Sequence, residues 1–176
     1  MSKKKRKQKN TLAEFKREME VDEVFKGQKI QLHESGEKMS EILGLFIEPY
    51  VEFTTNYHAY HNLVATAVVA WNAALLDAKH QRQFLNDAKK SMTIDPTTQK
   101  DLLAIVSEMI ERKKLLFAAN HRFIVNYKVI DMGRNYQLII VSTPENLSPD
   151  DQPPEEKPKS SVDTSIKKLL DVVFGK

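Results

Sequence analysis

Apolar residues recur along this chain with two periods, helical up to about residue 117 and alternating from residue 122. Between Glu37 and Phe53, the positions Met39, Ile42, Leu43, Phe46, Ile47, Tyr50 and Val51 follow three- and four-residue steps, which predicts a helix. Pro49 stands inside that stripe. It lacks the N–H that an interior helical position needs, so a kink or a split is expected there. The polar stretch Thr54-Thr55-Asn56 ends the segment. Tyr57 to Leu76 follows and is apolar almost all round, the mark of a central helix with neighbours on several sides. His80 to Lys90 reads as a shorter helix with Phe84, Leu85 and Ala88 inward.

Asp95-Pro96 is a helix start, an acceptor side chain at the cap followed by proline at the first helical position. The helix it opens runs to about Phe117 and is expected to bury Leu102, Leu103, Ile105, Val106, Met109, Ile110 and Leu116. Arg112, Lys113 and Lys114 fall in its last turn, where the helix dipole favours cations. Beyond it, Arg122 to Ile130 is rich in β-branched and aromatic residues, with Phe123, Val125, Tyr127 and Val129 alternating onto one face. Tyr136 to Thr143 is a second such run. Asp131 to Asn135 supplies a five-residue turn between them, so the pair reads as a β-hairpin. Two strands do not hold alone, and this hairpin must pack on the helices.

The ends differ from this core. Thr11 to Phe25 has sparse apolar positions (Leu12, Phe15, Met19 and Val24) and predicts a weak helix, with Thr11 and Glu14 as a capping box. Gly27 to Gly36 reads as a connection. Residues 144–160 hold five of the seven prolines together with Glu145, Asp150, Asp151, Glu155 and Glu156, an acidic linker expected to stay extended. After it, Ile166, Leu169, Leu170, Val173 and Phe174 fall on one face of a short helix within residues 161–176. So short a helix is marginal in water and needs a surface to lie on. The expected organisation is a basic disordered tail (1–10), a weak helix and connection (11–34), a core (35–143), the linker (144–160) and the amphipathic segment (161–176). The fold class is mainly α, of the α+β kind: four to five helices in a small bundle with a C-terminal two-stranded β-hairpin and disordered tails.

Composition narrows the chemistry. The chain has no cysteine, which removes thiol nucleophiles, disulfides, zinc fingers and iron–sulfur clusters. The five glycines are scattered, so no phosphate-cradling loop is present, and no serine stands in a nucleophile elbow. The longest nearly apolar run, Leu63 to Leu76, is too short to span a bilayer. No apolar stretch follows the basic N-terminus, so a signal peptide is not expected. These features fit a cytoplasmic protein, or a nuclear one in a host with a nucleus. The charge is asymmetric: Lys3, Lys4, Lys5, Arg6, Lys7 and Lys9 outweigh a net charge of +3, leaving the remainder net negative.

Three functional readings follow, in order of preference. The first is a small non-catalytic protein–protein interaction module. Its contacts run through Ile166, Leu169, Leu170, Val173 and Phe174, with an exposed helical face as a further contact, and its partner protein is unidentified. The same stripe can instead dock on the protein's own core. The second is a nucleic-acid-associated protein in which Lys3 to Lys9 bind phosphates without sequence preference; with no aromatic interleaved, base stacking is not expected. The third is a metal-dependent helical protein, with His58 and His61 facing Glu48 and Glu52 across a helix turn. Bundle sites of that kind draw a Glu-x-x-His from two helices. Here Asp77-Ala-Lys-His80 is a loose echo of it, so polar residues facing water or capping a turn are the plainer reading, and no cofactor is expected. Asn72, beside Trp71 in the central helix, can line a pocket or tie down the hairpin, the latter preferred. His121-Arg122 is read as an ordinary solvated junction rather than a pocket edge.

Overall fold

The computed structural model describes Glu14, Arg17 and residues 38–91, 95–133 and 135–143. Glu14 and Arg17 are helical. The rest of the expected 11–25 helix, the basic tail, the 27–36 connection, the acidic linker and the amphipathic segment lie outside the described residues. Within them stand four helices, α1 (Met39–Val51), α2 (Tyr57–Ala74), α3 (Ala78–Ser91) and α4 (Pro96–Leu116). An antiparallel hairpin follows, β1 (Ile124–Asp131) paired with β2 (Tyr136–Ser142). This is the mainly helical arrangement that the periodicity predicts.

The centre of α2 carries the core. Val64 to Ala73 are buried without interruption, and α1, α3, α4 and β1 all pack on this helix. Its start is set by Asn56, whose Oδ1 accepts from the Ala59 N–H at 3.0 Å. Its end is tied by Gln81, whose side-chain amide donates to the Ala73 carbonyl at 2.9 Å. Trp71 is fully buried, edge-on to Phe46 at 5.3 Å and 5.7 Å from the Phe117 ring. The other starts are chemical as well. Asp95 accepts from the Thr97 and Thr98 N–H groups, each at 3.0 Å, with Pro96 at the first helical position of α4.

Four local expectations are corrected. Pro49 does not split α1; the helix runs through it and stops two residues later. Proline cannot donate to the Leu45 carbonyl one turn back, and Arg112 of α4 supplies a donor instead. Its Nη2 donates to the Leu45 carbonyl at 3.3 Å and its Nε to that of Phe46 at 3.1 Å. In β1 the buried residues are Ile124, Tyr127 and Val129, while Phe123 and Val125 are half-buried. A bulge between Ile124 and Asn126 inserts one residue and reverses which parity faces the helices. Because Asp131 pairs with Tyr136, the hairpin connection has four residues rather than five. Gly133 takes a positive φ of 88° there, and its N–H donates to the Asp131 carboxylate at 2.7 Å. Finally, Ile105 and Leu116 are not in the core; they are 42% and 56% exposed.

Candidate interaction surface

Two arrangements on this scaffold concern function. One is the junction between α2 and the hairpin, where the polar and aromatic residues singled out by sequence converge. The other is the seam between α1 and α4, where apolar side chains face outward.

At the junction Asn72 acts as a substitute strand residue. Its Nδ2 donates to the Ile124 carbonyl at 2.8 Å, and its Oδ1 accepts from the Ile124 N–H at 2.9 Å. The neighbouring Trp71 Nε1 donates to the Arg122 carbonyl at 2.9 Å. A helix and a strand cannot share a backbone ladder, and these two side chains supply the missing bonds. Asn72 therefore holds the hairpin. His121 is exposed, as a solvated junction residue would be, and Arg122 is half-buried.

One turn from the start of α2, Tyr57, Tyr60 and His61 meet Tyr127 and Tyr136 of the hairpin. Tyr60 and Tyr136 stack at 4.6 Å, Tyr57 donates to the Val129 carbonyl at 3.1 Å, and His61 lies 5.8 Å from the Tyr127 ring. The Tyr127 hydroxyl is buried and without a partner, and burial pushes its pKa up to about 12. Burial, with His58 nearby, lowers the pKa of His61, so it is held neutral in an aromatic nest. A ring so placed is packing. Among the described residues no three His, Asp or Glu side chains come together to hold a metal ion, and Glu48, Glu52, His58 and His61 do not form such a group. Asp77 instead starts α3: its Oδ1 accepts from the Lys79 and His80 N–H groups at 3.0 and 3.1 Å, and its other oxygen meets the His80 ring. The Asp-x-x-His spacing marks a helix cap.

Lys113 is the residue that sequence reading missed. It stands in the last turn of α4 as expected, but the sequence reading did not place it in the core, and it is 3% exposed. Its ammonium donates to the Asn120 carbonyl at 2.7 Å and lies 5.1 Å from the centroid of the Trp71 ring, and burial lowers its pKa. The signal was available: Lys113 stands four residues after Met109 and seven after Val106, on the buried face of α4.

The α1–α4 seam presents the reverse arrangement. Tyr50 Oη donates to Glu108 at 2.8 Å and Arg112 reaches the α1 carbonyls, so polar side chains bridge the two helices. On the bridged helices Leu45 is 61% exposed, Ile105 42%, Leu115 80% and Leu116 56%, and Phe53, two residues past the end of α1, is 74% exposed. Ile105, Arg112 and Leu116 share one stripe of α4, at i, i+7 and i+11. Single exposed apolar residues are ordinary; several on two helices joined by side-chain bonds are less so. Glu48 and Glu52 lie on the same α1 face as Leu45, while Asp101 and Glu108 lie on the Ile105 stripe, so the apolar group has an acidic rim.

Among the described residues no helix is long and apolar enough to cross a membrane. Compared with known protein families, curated proteins and solved structures, the chain matches none.

Proposed function

We propose that this protein is a small non-catalytic interaction module that binds another protein through its apolar α1–α4 face and the amphipathic segment ending at Phe174. The observation that carries this reading is the group Leu45, Phe53, Ile105, Leu115 and Leu116, left facing water although the same helices close a core elsewhere. Partner recognition by an apolar helical face is an established use of such a surface. Polar groups of catalytic type are engaged in holding the fold: Asn72 with Ile124, Asp77 with α3, and Lys113 with Asn120.

The test is affinity capture from the native host with three baits: the full chain, a version lacking residues 161–176, and Leu115→Glu/Leu116→Glu. One protein should be retained by the first and depleted with both of the others. Identical protein profiles on all three baits would refute the reading. Capture of nucleic acid that disappears on deleting residues 2–9 would support the basic-tail alternative in its place.

A further inference from the structure

We infer that, in the isolated chain, the α1–α4 face is occupied by the protein's own segment from Ile166 to Phe174, docked in cis. The first support is the point of departure. Thr143, the last described residue, is bonded to Phe123: its N–H donates to the Phe123 carbonyl at 2.9 Å, and its hydroxyl accepts from the Phe123 N–H at 2.9 Å. Trp71 links the two places, bonded to the Arg122 carbonyl at 2.9 Å and 5.7 Å from the Phe117 ring, so the chain leaves the fold near the end of α4 that carries Leu115 and Leu116. Reach is the second. Twenty-two residues separate Thr143 from Ile166, a tether of at most about 75 Å when extended, ample for any point on the seam. Tethering of this kind gives an effective concentration on the order of millimolar.

Size and charge agree. As a helix, Ile166 to Phe174 presents an apolar strip about 12 Å long, and Ile105 to Leu116 spans about 16 Å. From Ile166 to the chain's last residue, Lys167, Lys168 and Lys176 outnumber Asp171, a net charge of +2 set against an α1–α4 rim that carries Glu48, Glu52, Asp101 and Glu108. Arg112, the cation on the same α4 stripe, is drawn onto the α1 carbonyls. A short amphipathic helix that cannot persist in water thereby gains a surface of matching length and opposite charge. Such occupancy concerns the isolated chain and holds whether or not a partner later displaces the segment, so its failure and that of the interaction reading are distinguishable.

The chain has no cysteine, so a single Gly175→Cys substitution can carry one nitroxide spin label on the full-length protein. With methyl-labelled leucine and isoleucine, the signals of Leu45, Ile105, Leu115 and Leu116 should lose most of their intensity. With the nitroxide reduced, the shifts of buried Leu43 and Ile42 of α1 supply the reference for an intact fold. The loss should be independent of protein concentration and should vanish on adding Leu170→Asp. Deleting residues 161–176 should shift the same seam methyls. Unchanged intensities would overturn the inference. So would broadening seen only between labelled and unlabelled copies, which means a second molecule docks, or seam methyls indifferent to the deletion, which means another occupant or none.

Discussion

The α2–hairpin junction and the α1–α4 seam treat their polar and apolar groups in opposite ways. At the junction, polar side chains are buried and almost all are bonded: Asn72 and Trp71 bind strand backbone, and Lys113 closes the connection after α4. At the seam, polar groups make the bridges at the surface while leucines and a phenylalanine stand in water. Buried polar groups and exposed apolar groups are both departures from the default, and each calls for a cause. At the junction the cause is assembly, since a two-stranded hairpin needs anchors. At the seam the helices are joined without their outward apolar residues, and those residues remain available for contact.

Substitutions can sharpen or break this contrast. The largest effect is expected from Asn72→Leu, which strands the N–H and carbonyl of Ile124 in the core. At about 1–3 kcal/mol for each buried group left unpaired, roughly 3 kcal/mol of stability should be lost in denaturant unfolding. Amide exchange should rise first in β1. A loss no greater than that of a surface variant would mean the anchor is dispensable.

Arg112→Ala comes next. It removes donors from the Leu45 and Phe46 carbonyls at a partly exposed site, and about 1 kcal/mol should go, with fraying confined to the end of α1. If amide exchange instead rises across α2, the seam is part of the core and the contrast fails.

Tyr127→Phe should act in the other direction. It deletes a buried hydroxyl that has no partner, so stability should hold or rise by up to about 1 kcal/mol. It also bears on alkaline pH. With its pKa at about 12 in the fold against an ordinary tyrosine value of about 10, Tyr127 keeps its proton longer folded than unfolded. The stabilisation is complete below pH 10 and is lost as pH rises toward 12, as for Tyr50, also raised to about 12. Lys113 has the opposite sign: its lowered pKa makes the folded protein recover stability as pH approaches 10.5. Melting temperatures of wild type and Tyr127→Phe between pH 9 and 12 would separate the two, with a shallower decline in the variant.

The smallest change in stability belongs to Leu115→Glu/Leu116→Glu. Neither side chain packs against the four helices or the hairpin, and so short a docked helix adds little, so unfolding should move within about 0.5 kcal/mol per site, while binding to the face is lost. A large destabilisation would show that these leucines already belong to a packed interface in the isolated chain, as cis docking requires if the segment contributes strongly to stability.

Local chemistry made much of the fold legible in the chain. The alternation after Arg122 requires strands, Asp95-Pro96 requires a helix start, and an all-apolar stripe over Val64 to Ala73 requires burial on every side, whatever surrounds them. The preference for Asn72 as an anchor rested on the same kind of argument, since a buried amide must be bonded. Periodicity states which residues share a face, but it leaves open how wide a face its neighbours cover. Hence Ile105 and Leu116 were assigned to the core and emerge at its edge, while Lys113, on the covered side, is buried. One inserted residue in β1 exchanged Val125 for Ile124, a choice made by pairing across strands. Pro49 was tolerated because a guanidinium 63 positions later reached back to the carbonyl left without a donor. Each of these depends on a group distant in sequence, so only the folded chain could decide it.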